Sequence, residues 1–199
     1  MLKKTISWLL ILALLCSCCM LSVFATEPTS DEEAKTQGYH FKVTAPDGTV
    51  TYGKFNETVA ADGSRDGAFA KVASGSTVAL LTDATVEKEL HLNGVYTIDG
   101  AGKTLNARLR SDSGSANVTV RNVTFDVTLT TENGYFYQLN AGNKCVFENC
   151  TFDIKGEPGA AVFVQRGDLT ISDSTFTYTT SSSKPVFHQD DQLKEAKLL

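Results

Sequence analysis

Three eight-residue segments of this chain repeat one pattern. They are VTVRNVTF (118–125), CVFENCTF (145–152) and LTISDSTF (169–176). Their starts lie 27 and 24 residues apart, and each has apolar residues first and third, Asn or Asp fifth, and Thr-Phe at its end. A second motif recurs at the same intervals as YFYQ (135–138), VFVQ (162–165) and VFHQ (186–189). Two motifs that recur at the same intervals indicate a repeated structural unit of about two dozen residues with about three short strands.

Units of this size with alternating apolar residues stack as coils of a parallel β-solenoid, each rung about 4.8 Å above the last. Equivalent residues then form columns along the axis. The predicted inward columns are Phe125, Phe152 and Phe176; Val118, Cys145 and Leu169; and Val120, Phe147 and Ile171. The predicted hydrogen-bonding column at the bend is Asn122, Asn149 and Asp173. Outside the coil, we expect Arg121 to form an ion pair with Glu148 on the next rung.

The repeat, together with YTIDGAGKTL (96–105), resembles the right-handed parallel β-helix proteins of the pectate-lyase-like superfold, of the bacterial secreted or cell-surface type. The resemblance covers residues 66–189. It implies an all-β fold, a single-stranded right-handed parallel β-helix of about 4–5 rungs with an N-terminal hairpin and a short capping helix. Because lyases, hydrolases, adhesins and inert stalks share this superfold, the resemblance implies no single activity.

The N-terminus has the pattern of an export signal. Lys3 and Lys4 precede an uncharged run that ends with Val-Phe-Ala at position 25, so residues 1–25 are predicted to be a cleaved signal peptide. An uncleaved membrane anchor and a lipoprotein cleavage box at 15–18 are the alternatives. Because all three export the protein, we expect it to be secreted or on the extracellular surface.

Removal of the signal leaves an acidic chain. The loss of Lys3 and Lys4 leaves 16 basic against 23 acidic side chains, a formal charge of −7, which argues against a nucleic-acid partner. Three of the five cysteines, at positions 16, 18 and 19, also leave with the signal. The exported part is therefore not a disulfide scaffold.

The rest of the chain divides into four regions. Residues 26–38 are acidic and are predicted to form a disordered spacer. Residues 39–75 are predicted to form a hairpin around Asp47-Gly48, followed by a short capping helix that starts at Ser64 or Asp66 and ends at Gly75. The parallel β-helix is expected to occupy residues 76–189. The last region, 190–199, is expected to be a polar tail or cap, with a helix near Asp190.

Few residues suggest catalysis or metal binding. Cys145 and Cys150 occupy inward columns, so we interpret them as small buried hydrophobes and expect neither a disulfide nor a thiol metal site. Asp126 and Asp153 are equivalent residues on adjacent rungs and are weak calcium candidates. Gln189-Asp190-Asp191 matches a short element of the polygalacturonase-like branch, but the motifs around it are missing. We therefore assign no catalytic residue and no cofactor, and interpret His40 and His91 as ordinary surface or packing residues.

The Phe-x-Gln strand allows two registers. In one, the three phenylalanines and the three glutamines point inward; in the other they form an exposed stripe. Because buried amides are costly unless each is paired, we expect the exposed stripe. An aromatic row flanked by amides suits a sugar or a protein surface. The predicted ligand-binding residues are Phe136, Gln138, Phe163, Gln165, Phe187 and Gln189.

The expected function is that of a secreted or cell-surface module without catalytic activity, which serves adhesion or binds carbohydrate or protein through an exposed rung face. Its partner would be a glycan or a surface protein, and it would contact a membrane only through an uncleaved N-terminal segment. One alternative is a polysaccharide lyase or glycoside hydrolase with a minimal site. The other is a structural stalk fragment that has no ligand of its own.

Overall fold

The computed structural model describes residues 27–58, 65–129, 134–156, 161–180, 187–189 and 197–198. The predicted signal peptide lies outside these ranges. So does most of the predicted C-terminal tail, of which Lys197–Leu198 forms a strand. No helix within the described ranges is both long enough and apolar enough to span a bilayer.

Most of the described chain forms a parallel β-solenoid of about four turns, which confirms the predicted fold class. Three sheets run along its axis. Sheet 1 comprises β1 (Phe41–Thr44), β2 (Val50–Gly53), β4 (Ser76–Leu80), β7 (Val95–Asp99), β10 (Asn117–Arg121), β13 (Lys144–Glu148), β16 (Asp168–Ser172) and β19 (Lys197–Leu198). Sheet 2 comprises β5 (Ala84–Thr85), β8 (Thr104–Asn106), β11 (Thr124–Leu129), β14 (Thr151–Gly156) and β17 (Thr175–Thr180). Sheet 3 comprises β3 (Arg65–Asp66), β6 (Glu89–His91), β9 (Leu109–Ser111), β12 (Tyr135–Leu139), β15 (Ala161–Gln165) and β18 (Phe187–Gln189).

The predicted inward columns are confirmed by the strand register. In sheet 2, Phe125 pairs with Phe152 and Phe152 with Phe176, and each pair of ring centroids is 5.4 Å apart. Phe125 and Phe152 are fully buried, whereas Phe176 is 37% exposed at the C-terminal end of the column. In sheet 1 the two predicted columns also align and are buried, as Val118–Cys145–Leu169 and Val120–Phe147–Ile171.

The predicted asparagine column occupies the bend between sheets 1 and 2. Asn122, Asn149 and Asp173 all have left-handed backbones, with φ of 56°, 52° and 50°. Asn and Asp tolerate this conformation better than most other residues with a side chain. The Asn149 side-chain amide donates to the Asn122 carbonyl over 2.8 Å, and the Asn122 amide donates to Asp99 over 3.1 Å. The column therefore ties three consecutive rungs together at one edge.

Arg121 forms an ion pair with a residue other than the predicted Glu148. Arg121 and Glu148 are aligned as expected, yet the guanidinium lies 3.0 Å from Asp99 on the rung below. The same carboxylate also accepts from Asn122 and from the backbone of Ala101. These donors hold the carboxylate at the bend, so the arginine pairs with it rather than with the exposed Glu148.

The N-terminal end of the solenoid is closed by the predicted hairpin. Strands β1 and β2 pair antiparallel, and β1 also pairs antiparallel with β4, the first parallel strand of sheet 1. Phe41 and Phe55 are buried against Phe69 beneath the hairpin, with ring centroids 5.0–5.7 Å apart. This aromatic cluster covers the first rung, which would otherwise expose its apolar interior.

The short helix lies before the hairpin and not after it. Helix α1 (Asp31–Thr36) occupies part of the predicted disordered spacer, where Ser30 caps it by accepting from the backbone N–H of Glu33. Asp31 binds Lys42 over 2.7 Å and Tyr52 over 3.0 Å, so contacts with the hairpin order this acidic segment. The predicted helix from Ser64 or Asp66 to Gly75 is wrong, because the described part of that region forms β3 and then turns.

Candidate functional site

The predicted exposed stripe is wrong at two of its phenylalanines. Phe136 and Phe163 are both fully buried. Phe136 contacts Phe125 with ring centroids 5.0 Å apart, and Phe163 contacts Phe152 at 5.9 Å. Burial of a phenylalanine contributes about 1.5–3 kcal/mol, so the rings extend the core rather than the surface. The side chains of Gln165, Phe187 and Gln189 lie outside the described part of the chain.

At Phe163 the error has a structural cause in the register of sheet 3. Phe163 aligns with Tyr137, whereas the repeated motif matches it to Phe136. The chain between β14 and β15 is one residue shorter than the chain between β11 and β12, which accounts for this shift. The consecutive residues Phe136 and Tyr137 both face the core, and Gln138 then lies half-buried on the outer side. Its amide donates to Asn140 over 2.9 Å, so the amide burial that we expected to disfavour inward phenylalanines does not arise here.

The two calcium candidates have a lysine between them. Asp126 and Asp153 are aligned on adjacent rungs as expected, and the ammonium group of Lys155 lies 3.1 Å from the first and 3.4 Å from the second. This internal cation offsets one of the two negative charges. Within the described residues, no group of three or more His, Cys, Asp or Glu side chains could hold a metal ion.

Both cysteines of the repeat are buried in the inward positions that the sequence predicted. Burial raises the pKa of the Cys145 thiol to about 12, and it also raises the pKa of Cys150. The Cys150 thiol donates weakly to the carbonyls of Val120 and Glu148, 3.5 and 3.4 Å away. Thiols held in this protonated form are poor nucleophiles and poor metal ligands.

A polar cluster instead occupies the outer face of sheet 3. We define it as Glu89, His91, Arg110, Asp112 and Tyr135. Strand alternation places Glu89 and His91 together on β6, and register places His91 beside Arg110 on β9. Although these side chains face outward, those of Glu89 and His91 are only 11% and 9% exposed. The cluster is therefore an ordered patch of charge at the surface of three consecutive rungs.

His91 lies between the two carboxylates of the polar cluster. Its Nε2 is 3.1 Å from Glu89 Oε1, and its Nδ1 is 3.5 Å from Asp112 Oδ1. The amide of Asn93 donates to the same Asp112 oxygen over 2.7 Å and lies 3.3 Å from His91 Nδ1. A neutral imidazole fits these contacts when Nε2 carries the proton and donates to Glu89, while Nδ1 accepts from Asn93.

Arg110 and Tyr135 complete the polar cluster. The guanidinium of Arg110 lies 3.2 Å from Asp112 and 3.7 Å from Glu89, so it bridges the two acids. The phenol of Tyr135 donates to Glu89 and accepts from Arg110 Nη1 over 3.4 Å. Each of the two carboxylates thus has at least two partners, and the network fixes the positions of all five side chains.

These contacts determine the charge of the acids. Burial alone would raise the pKa of Glu89, but hydrogen bonds from His91 and Tyr135 and the charge of Arg110 outweigh it and lower that pKa. Burial would also raise the pKa of Asp112, but a hydrogen bond from Asn93 and the electrostatic effects of His91, Arg110 and Arg65 outweigh it and lower that pKa. Burial raises the pKa of Tyr135, and the hydrogen bond to Glu89 and the negative charge of Glu89 raise it further. At neutral pH the polar cluster therefore presents two carboxylates, a guanidinium and a protonated phenol.

A cavity of about 280 Å³ opens beside the polar cluster. Residues of the segment 65–72, which contains β3 and the turns after it, form one side of the cavity, and residues of the segment 91–94 form the other. His91 belongs to both the cavity and the cluster. The lining combines polar and apolar side chains, which include Arg65, His91, Asn93, Phe69, Ala70 and Val72. A cavity with a few fixed polar groups beside it is a candidate ligand-binding site.

Sequence reasoning missed the polar cluster because the first turns are shorter than the later ones. Leu90 aligns directly with Leu109, so this turn is shorter than the interval between the repeated motifs, and the repeat did not extend to this region. The available signal was local. Glu89-x-His91 places two ionisable side chains on one side of β6, and Arg110-x-Asp112 has the same spacing at the end of β9.

Comparisons of the chain with protein-family models, with curated proteins and with solved structures gave no match. The β-solenoid therefore rests on the strand pairing described above. Since one fold can carry many functions, the function has to be argued from the polar cluster and its cavity.

Proposed function

We propose that this protein is an exported, non-catalytic β-solenoid module that binds a glycan on the outer face of sheet 3, at the polar cluster. The observation that supports this most is the fixed array of Glu89, His91, Arg110, Asp112 and Tyr135 beside a cavity. Export is inferred from the charged and apolar pattern of residues 1–25.

The geometry of the polar cluster suits hydroxyl groups. Carboxylates accept hydrogen bonds from sugar hydroxyls, and guanidinium and amide groups donate to them. Because the side chains already hold one another in place, a ligand would not have to pay the entropy of ordering them. The half-buried ring of Tyr135 adds an apolar surface within the same patch.

The state of the carboxylates supports binding over hydrolysis. Glycoside hydrolases with two carboxyl groups need one of them protonated, with a raised pKa, as the general acid. The pKa values of Glu89 and Asp112 are both lowered, so both groups are ionised at neutral pH. Ionised, hydrogen-bonded acids serve as acceptors rather than as proton donors.

A glycan array probed with the purified protein tests this proposal. We expect binding that Arg110→Gln weakens about tenfold to a hundredfold, because a hydrogen bond to a charged group contributes about 1.5–3 kcal/mol. The matched control is Lys144→Gln, which removes an exposed lysine of sheet 1 that pairs with Asp168 at 3.5 Å. Equal binding by the two variants, or no glycan bound by the wild type, would refute the proposal.

A polysaccharide lyase or hydrolase is the second candidate. It is favoured by one observation, the placement of His91 between Glu89 and Asp112, since a histidine beside carboxylates can act as an acid or a base. Release of reducing ends or of unsaturated products from the glycan that binds best would support it. Turnover that is lost in His91→Gln while binding persists would replace the binding proposal with this one.

A further inference from the structure

We propose that the glycan-binding surface continues into a second cavity on the other side of the polar cluster, and that the ligand is a linear oligosaccharide whose chain crosses the cluster from one cavity to the other. The inference rests on the proposed glycan binding and specifies the form of the ligand. It follows from the positions of the two cavities and from an arginine that has no partner. We call the cavity that His91 lines the first cavity.

The second cavity, of about 270 Å³, lies where three successive rungs pass from sheet 2 to sheet 3. Each rung contributes polar or small residues to its lining. They are Glu87 and Lys88 on the first of these rungs, Asn106 and Arg108 on the next, and Thr128 and Gly134 on the third. The second cavity is therefore built by the same rungs that carry the polar cluster.

The polar cluster lies between the two cavities. Lys88 and Gly134 line the second cavity, and each directly precedes a residue of the cluster, Glu89 and Tyr135 respectively. At the opposite end, His91 belongs to the cluster and lines the first cavity. A ligand that leaves one cavity along the strands therefore meets the cluster before it reaches the other.

The backbone keeps this path continuous. Parallel hydrogen bonds of 2.8 Å run from the N–H groups of residues 86, 90 and 92 to the carbonyls of residues 106, 108 and 110. Two neighbouring rungs thus lie side by side from the second cavity to the end of the cluster. The segment 86–92 spans up to about 20 Å when fully extended, which is longer than one sugar ring.

Arg108 supplies hydrogen-bond donors at the second cavity. The burial of Ala107 and Leu109 places its exposed side chain on the same outer side as Arg110. Arg110 is held by Asp112 and Tyr135, whereas the guanidinium of Arg108 makes no hydrogen bond or ion pair with any described residue. Its N–H groups can therefore donate to sugar hydroxyl groups.

The sizes of the cavities favour a chain over a compact ligand. At about 270 and 280 Å³, both are slightly smaller than the range of about 300–1,000 Å³ that is typical of small-molecule sites. Each fits one ring or one substituent. Two small cavities joined by ordered polar groups therefore suit successive units of one linear glycan, bound along its length and not only at its end.

A chain-length series tests this inference. The probes are the disaccharides and hexasaccharides of β-1,4-linked glucose, xylose, mannose and N-acetylglucosamine, titrated by calorimetry into the whole purified protein. In each series that binds, we expect the hexasaccharide to bind at least about tenfold more tightly than the disaccharide, because it adds hydrogen bonds at both cavities. Equal affinities, or a glycan array on which only branched or single terminal sugars bind, would overturn the inference and leave glycan binding intact. If no probe binds and the array is blank, both proposals fail.

A substitution at Arg108 tests the second cavity directly. We expect Arg108→Gln to lower the affinity for the hexasaccharide about tenfold, and so to remove most of the advantage of the longer chain. The matched control is Arg121→Gln, the same change at an exposed arginine of sheet 1, which should bind like the wild type. An unchanged ratio of the two affinities in Arg108→Gln would overturn the inference.

A pair of tryptophan variants blocks the second cavity without removing a charge. Thr128 lines the second cavity, whereas Thr179 lies two rungs away in the same outward column of sheet 2 and outside that lining. We expect Thr128→Trp, but not Thr179→Trp, to reduce the affinity for the hexasaccharide to about that for the disaccharide. Circular dichroism and the melting temperature confirm that both variants fold. A hexasaccharide that binds Thr128→Trp as tightly as the wild type would overturn the inference.

Discussion

The imidazole of His91 lies 3.1 Å from the carboxylate of Glu89 on the outer face of sheet 3, where both side chains are about one-tenth exposed. Ion pairs between exposed side chains contribute little to stability. This contact differs from them because both of its side chains are largely buried. Its position on the outer face means that the fold keeps a polar network ordered beside the cavity that His91 lines. The chemistry of the site can therefore be tested through stability as well as through binding.

The polar cluster should make stability depend on pH in the acid range. The folded-state pKa values of Glu89 and Asp112 are lowered, so this stability is fully present above their unfolded-state pKa values and is lost as the pH falls through the folded-state values. We expect the melting temperature of the wild type to fall more steeply below about pH 4.5 than that of Glu89→Gln. The control is Glu148→Gln, an exposed residue outside the cluster, which should follow the wild type.

The phenylalanine column should be most sensitive in its middle. Phe152 is fully buried between Phe125 and Phe176, so Phe152→Ala should lower the free energy of unfolding by about 3–5 kcal/mol. Phe176→Ala, at the 37% exposed end of the same column, should cost about 1–2 kcal/mol. Urea denaturation of the two variants measures the difference. Equal costs would mean that the end of the column is as well covered as its centre.

The contribution of the asparagine column to stability should depend on backbone conformation as well as on hydrogen bonds. Asn149 has φ of 52° and donates to Asn122, so Asn149→Ala loses a hydrogen bond and places an alanine in a left-handed conformation. We expect a cost of about 1–2 kcal/mol in the free energy of unfolding. Asn149→Gly loses only the hydrogen bond and should cost about half as much. An alanine variant as stable as the glycine variant would contradict the role of the backbone.

The thiols of the repeat should be unreactive in the folded protein. Cys145 and Cys150 are both buried, and burial raises the pKa of Cys145 to about 12. Iodoacetamide at pH 8 should therefore modify neither residue until urea unfolds the chain. Mass spectrometry of the labelled peptides assigns any label to Cys145 or Cys150. Labelling of either residue in the native protein would show that the core opens at this rung.

The repeat predicted those parts of the fold in which identical residues stack. The columns of Phe125 and of Asn122 follow from residues that recur at the same position, because neighbouring rungs impose the same packing and the same bend. The Phe-x-Gln strand failed for a different reason. A connection shorter by one residue moved Tyr137 beside Phe163, and a shift of one residue reverses the side on which a strand residue lies.

The candidate site was harder to predict than the fold. Glu89 and Asp112 lie on different rungs and share no recurring motif, and the register of β6 with β9 brings them to opposite sides of His91. The helix prediction near Phe69 failed because its apolar spacing serves the aromatic cluster under the hairpin. Tertiary contacts override local pattern in both places.

The connections between rungs differ in length, and this bears on which insertions and deletions the fold can accommodate. In sheet 3 the chain from Leu90 to Leu109 is much shorter than the chain from Leu109 to Tyr137, yet all three residues lie in one buried column. Connections of unequal length are therefore compatible with one continuous core column, although the pairing of Tyr137 with Phe163 shows that a length change also shifts which residue enters such a column. A chain with this core can thus differ from rung to rung in the length of its surface connections, provided that each change keeps apolar residues in the inward positions.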